Sequence, residues 1–250
     1  MKHKINSELE TQSGGWRAHG KWTRAKRKKA RADWTRGKVT SVMLGILMII
    51  GLSVEWAYSD EPGLKPSPSP ETIWVDGIGS GFRKGLFQTG GTVGAGFGTR
   101  NIFGTKLIHD LALASVNLGW VFTDVMATDK WYRGNFELLV ELFSGGQFKP
   151  NDRYFVGLTP LIRYNLATGS RWVLFVDGGA GVSSTDIDGV DLTGNFQFNI
   201  QAGAGAHYFL SNRTALTVQY RWLHFSNAGI QEPNHGTNTQ MFHLGVSWFF

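Results

Sequence analysis

Cysteine is absent from all 250 residues, which excludes disulfides and thiolate chemistry. That absence permits an exported chain without requiring one. No apolar run is long enough for a comfortable transmembrane helix. The only long one, residues 42–54, has 13 residues, against the ~20 a spanning helix needs. After residue 70 no useful length of sequence has a helical period. No His, Asp or Glu group has the spacing of a metal site, and neither a metal nor another cofactor is expected. Two Gly-rich stretches, 77–81 and 90–94, precede no helix, so neither reads as a phosphate cradle. They read instead as points of sheet curvature.

Excess charge is missing where a fold would need to carry it. The chain is formally +6, but residues 1–59 hold 12 Lys/Arg and 4 Asp/Glu, a net of +8. Residues 60–250 hold 13 and 15, a net of −2. The basic character therefore belongs to a leader, and it gives no argument for a nucleic-acid partner. Within that leader Arg36 and Lys38 precede the apolar run, and Ala57-Tyr58-Ser59 follows it. This is the layout of a secretory signal peptide cleaved after Ser59. Residues 1–35 are too long for its basic region, so the true start is expected near residues 39–43. Four prolines from Pro62 to Pro70 mark residues 60–71 as an extended linker. The folded domain is expected over 72–250.

What is present in that domain is alternation, with 33 Gly, 17 Phe and 10 Trp in the chain. Strands are expected at 88–98, 108–122, 134–143, 153–165, 171–182, 195–208, 212–225 and 241–250, with a ninth extended stretch at 72–80. One face of 195–208 reads Phe196, Phe198, Ile200, Ala202, Ala204, Ala206, Tyr208; the other reads Asn195, Gln197, Asn199, Gln201, His207. Glu137, Glu141, Arg163, Asp177 and Arg221 share the polar faces of their strands. Continuous apolar faces tipped with aromatics suit lipid. Closure removes the strand edges that a bilayer forbids. The expected fold is all-β: an eight-stranded antiparallel transmembrane β-barrel of the outer membrane. Its interior is too narrow for a channel, so its charges must pair inside. The aromatic end at Phe250 agrees with insertion there.

The segment His224-Phe225-Ser226-Asn227-Ala228-Gly229 carries the candidate chemistry. Residues two apart on a strand share a face. Leu216, Val218, Tyr220 and Trp222 place that face towards lipid, and His224 and Ser226 continue it. A His can deprotonate a nearby Ser hydroxyl. A hydrolytic pair on the lipid side suggests a lipid substrate. The same pair also suits an interfacial polar contact with no catalytic part.

His224-Phe225-Ser226-Asn227-Ala228-Gly229, with Pro233-Asn234-His235-Gly236-Thr237-Asn238 and the closing strand, resembles the outer-membrane lipid A 3-O-deacylase family. The resemblance is specific over 220–238 and extends as a strand pattern over 86–250. It implies a Gram-negative outer-membrane esterase that removes the 3-linked acyl chain of lipid A without a cofactor. Ser226 would be the nucleophile and His224 the base. Asn227, with backbone N–H groups around Ala228 and Gly229, would hold the oxyanion, and Asn234 would order the loop. Lipopolysaccharide and outer-membrane lipids are the implied partners, with a homodimer left open. The family has Glu where this chain has Asn238. An Asn can still fix the imidazole tautomer but cannot offset its charge. Glu232 is an alternative orienter, whereas Asp110 is remote in sequence. A non-catalytic barrel with a structural or lipid-binding role is the rival reading.

Overall fold

Eight antiparallel strands close on themselves in a computed structural model that describes residues 82–250. The leader 1–59, the linker 60–71 and the stretch 72–80 lie outside the described residues. The strands are β1 (Phe87–Gly98), β2 (Asp110–Val121), β3 (Gly134–Lys149), β4 (Arg153–Leu166), β5 (Trp172–Thr185), β6 (Phe196–Phe209), β7 (Thr214–Ser226) and β8 (Thr237–Phe249). Each pairs with its sequence neighbours, and β1 pairs with β8, so no edge remains. Two elements outrun the sequence reading by four residues or more, and β5 runs three residues past it to Thr185. β3 continues to Lys149 and β8 begins at Thr237 rather than at residue 241.

The two faces separate as the alternation requires. Leu138, Val140 and Leu142 of β3 are exposed, while Glu137, Leu139, Glu141 and Phe143 are buried. Phe198 and Ile200 of β6 point out while Gln197, Asn199 and Gln201 are buried. The exterior is therefore a band of Leu, Val, Ile and Phe, the surface that lipid solvates.

The interior is layered. At the end where β1 begins, Phe82, Val121, Val173, Phe209, Ala215 and Phe249 form one apolar cluster. At the opposite end Leu111, Leu113, Phe143, Phe155, Ile187, Leu192, Leu223, Phe225 and Met241 form another. Between them lies a polar layer. Arg163 donates to Asp177 Oδ2 at 2.9 and 3.2 Å and lies 3.9 Å from the centre of the Phe175 ring. Arg221 Nη1 donates to both oxygens of Glu141 at 2.7 and 2.8 Å. Gln219 Nε2 also donates to Asp177, and His207 is held by Thr217 and Arg163. Arg163, Asp177, Arg221 and Glu141 thus pair, which offsets a desolvation cost of several kcal/mol per ion, whereas Glu137, among the described residues, accepts only from Asn165 Nδ2 at 3.0 Å.

Two glycines of β1 make room inside the barrel. A β-carbon at Gly94 would lie 2.8 Å from His243 Nδ1, and one at Gly90 would lie 3.0 Å from Asn117 Oδ1 and Ser247 Oγ. They leave room for inward polar side chains.

Candidate active site

The strand ends that meet at the second apolar cluster are joined by loops 99–109, 150–152, 186–195 and 227–236. His224 lies near the last turn of pleat in β7. Register places it opposite Ile200 on one side and Asn238 on the other. Directly opposed residues in an antiparallel pair share a face, and here that face is the outer wall. His224 Nδ1 and Asn238 Oδ1 are 2.9 Å apart.

An outer-wall residue should be exposed, yet His224 is only 7% exposed and Asn238 is 0% exposed. The cover is the β1–β2 loop. The Phe103 ring meets His224 edge-on at 5.4 Å between centroids, and Trp222 stacks on it at 5.7 Å. Asn238 Nδ2 donates to the Ile102 carbonyl at 3.0 Å and to Thr105 Oγ1 at 2.6 Å. A carbonyl only accepts, so the amide nitrogen must face Ile102 and the amide oxygen must face His224. The network, rather than visible hydrogens, makes this assignment. It puts the imidazole proton on Nδ1 and leaves Nε2 unprotonated.

Space beside Nε2 is kept by Gly236. A β-carbon there would lie 2.5 Å from His224 Cε1 and 3.1 Å from Nε2, and its φ of +73° is left-handed. Glycine alone satisfies both conditions at low cost.

Ser226 is the last residue of β7 and is half-buried, on the same face as His224 by the two-residue period. Among the described residues its hydroxyl makes no hydrogen bond to His224, whose side-chain bond runs to Asn238. The following loop is built around Asn227, which is 2% exposed. Its Nδ2 donates to the carbonyls of Thr193 at 2.9 Å and Gln231 at 2.8 Å. Its Oδ1 accepts the Gly229 N–H at 2.9 Å, and its own N–H donates to Asn234 Oδ1 at 2.9 Å. Without substrate, the Asn227 side chain and the Gly229 N–H, expected at an oxyanion, bond within the loop. Ala228, at φ +55°, presents an N–H that has no partner among the described residues. Asn234 does order the loop, through the Asn227 N–H. Glu232 turns to the Asn234 N–H at 3.1 Å, and Asp110 is occupied by the Gly98 N–H and Lys149. Neither carboxylate bonds His224.

Three contributors were not visible in the sequence: Thr105, Ile102 and Asp191. Asp191 accepts the N–H groups of Lys106 at 2.7 Å and Leu107 at 2.8 Å, and its carbonyl accepts the Gly236 N–H at 2.9 Å. One residue thereby fastens the two loops that flank His224. Its Oδ2 also lies 3.0 Å from His109 Nε2. Burial works to raise the Asp191 carboxyl, but the bonds from His109, Lys106 and Leu107 outweigh it and hold the carboxyl below the usual range.

Among the described residues no group of His, Asp and Glu is placed to hold a metal ion. The arrangement is that of an imidazole oriented by Asn238, two residues before a serine at the end of β7.

Comparison with known proteins identifies the family. Lipid A deacylase PagL of Bordetella bronchiseptica is 35% identical over 109 residues, which are 41% of this chain and 58% of that protein. The match thus spans less than two thirds of that relative's length. Among solved structures, the outer membrane enzyme PagL aligns over 62% of this chain and 97% of its own, with 19% identity and a TM-score of 0.45. Neisserial surface protein A aligns over 66% and 98%, with 14% identity and a TM-score of 0.44. The family described as lipid A 3-O-deacylase (PagL) matches residues 112–247, which hold His224, Ser226, Asn234 and Asn238. With more than half of its length matched, this chain belongs to the lipid A 3-O-deacylase (PagL) family.

Proposed function

We propose that this protein is a serine esterase of the Gram-negative outer membrane that hydrolyses the 3-O-linked acyl chain of lipid A. The observation that carries the reading is the His224 Nδ1 to Asn238 Oδ1 bond on the outer wall. It prepares an imidazole with an unprotonated Nε2, two residues before the one hydroxyl of the His-x-Ser segment. Family membership supplies the substrate.

In this reading Ser226 Oγ attacks the ester carbonyl carbon while His224 Nε2 takes its proton. The tetrahedral oxyanion is met by the Ala228 N–H. Collapse breaks the bond to the sugar oxygen, which receives the proton from His224. Water then attacks the acyl-enzyme with His224 again as base, releasing the fatty acid and restoring Ser226. Catalytic hydrogen bonds are often long without substrate and tighten in the complex, so the Ser226–His224 approach is assigned to the bound state. Asn238 holds the tautomer but leaves the imidazolium charge uncompensated, which predicts slower turnover than a carboxylate would allow. Lys or Arg side chains at the loop rim are suited to the phosphates.

The test is mass spectrometry of lipid A from cells making the parent chain or Ser226→Ala. Loss of one 3-linked acyl chain with the parent alone supports the esterase. Unchanged lipid A with both, in cells where the barrel is folded, supports the second reading, a non-catalytic lipid-binding barrel. That reading is favoured by one observation, the amide at position 238 in place of a carboxylate.

A further inference from the structure

We propose that Thr105, in the β1–β2 loop, is a positioning residue that fixes the protonation geometry of His224 from 119 residues away in sequence. Thr105 acts through Asn238 and touches neither His224 nor substrate. For its kinetic consequence this rests on the esterase reading above; for its structural consequence it does not.

Thr105 is 1% exposed. Its hydroxyl accepts Asn238 Nδ2 at 2.6 Å, and its single proton is shared between the carbonyls of Ile102 at 2.8 Å and Gly236 at 3.0 Å. One hydroxyl therefore reaches both sides of the imidazole. On the Nδ1 side it holds the amide whose oxygen faces His224. On the Nε2 side it holds the backbone of Gly236, the residue that keeps that edge open.

An Asn differs from a carboxylate in having two unlike ends. Turned by 180°, Asn238 would offer its NH₂ to Nδ1. Nδ1 would then have to accept, and the proton would move to Nε2, where it disables the base. A carboxylate needs no such control. The chain that carries Asn at position 238 needs acceptors behind the amide to select one orientation, and Thr105 and Ile102 supply them. The loop itself is held in shape by bonds from the Asn101 N–H to the Thr105 carbonyl and from the Lys106 and Leu107 N–H groups to Asp191.

The experiment uses the full purified chain in detergent micelles with lipid A as substrate. Thr105→Val replaces the hydroxyl with a methyl of similar size, and Thr105→Ser retains the hydroxyl. Two quantities are read: kcat and KM, and the imidazole tautomer of His224 by ¹⁵N nuclear magnetic resonance. The parent is expected to show the Nδ1-protonated form. Thr105→Val is expected to populate the Nε2-protonated form and to lose roughly 10- to 100-fold in kcat with little change in KM. Thr105→Ser is expected to restore most of both. Parental tautomer and parental kcat in Thr105→Val would overturn the proposal. So would an equal loss in Thr105→Ser, which would mean a packing role. If the parent hydrolyses nothing, the esterase reading fails and the tautomer comparison alone decides the proposal. Heat-modified migration on gels reports folding, and Thr105→Ala provides the second variant if Thr105→Val does not fold.

Discussion

Gly236 lies against the Cε1–Nε2 edge of His224, so close that a single added carbon would stand 2.5 Å from Cε1. The backbone there is also left-handed. Gly236→Ala should therefore cost activity through displacement of the imidazole, by more than about 10-fold. The barrel should still form, because position 236 lies in a loop. Lipid A hydrolysis beside heat-modified gel migration checks both halves.

Asn238 sits between an imidazole and a backbone carbonyl. Asn238→Glu would restore the family's carboxylate, which favours the imidazolium. It would also set an acceptor against the Ile102 carbonyl, now 3.0 Å from the amide nitrogen, at a fully buried position. An uncompensated buried charge or unmatched acceptor costs ~1–3 kcal/mol or more. We expect the second effect to win and the variant to be no faster than the parent. A rate several-fold above the parent would show the loop to be more adaptable than its bonds imply.

Asp191 gives the site end an acid sensitivity. Its folded pKa is depressed, so its stabilisation is present above the unfolded value of about 3.9 and is lost as pH falls through the folded value. Below about pH 4 the amides of Lys106 and Leu107 should lose exchange protection before the strands do, once rates are corrected for intrinsic pH dependence. Asp191→Asn has no carboxylate to titrate. It should show that loss already at neutral pH and no further change through the acid window.

The Arg163–Asp177 pair lies among groups that cannot reach water. Asp177→Ala strands Arg163 and takes a partner from Gln219 and Arg221. Removing one member of a buried pair costs roughly 3–5 kcal/mol. Urea unfolding in lipid vesicles should register a loss of that size.

Val140 tests the exterior. It is 43% exposed at mid-strand between Leu118 and Pro160. Val140→Arg should destabilise the vesicle-embedded barrel by about 2–4 kcal/mol, the cost of a cation near the bilayer midplane. A cost near zero would place Val140 outside the hydrocarbon.

Much of the fold was legible because the two sides of each strand meet different solvents. Phe196, Phe198 and Ile200 against Gln197, Asn199 and Gln201 need only a two-residue period to be read. The misses have physical reasons. β3 continues through Ser144-Gly145-Gly146, where no apolar alternation marks it. β8 begins with Thr237-Asn238-Thr239-Gln240, polar on both faces because loops rather than lipid cover that end of its outer face. At the site, the His-x-Ser spacing and the neighbouring Asn238 were readable. The partners of Asn238 were not, since Ile102 and Thr105 approach through barrel closure, which brings β1 beside β8. The loop-building bonds of Asn227 were not readable either, because a buried amide that builds a loop and one that binds an oxyanion look the same in a sequence.

The apolar clusters at the two ends of the interior have an electrical meaning. Phe82, Phe209 and Phe249 stop one mouth, and Phe143, Phe155 and Phe225 stop the other. Ions have no continuous wet path between them, so the barrel should be silent in a planar-bilayer conductance recording. A cell can then carry many copies of this protein in its outer wall without becoming leakier, with all exchange between protein and surroundings taking place sideways, through the lipid.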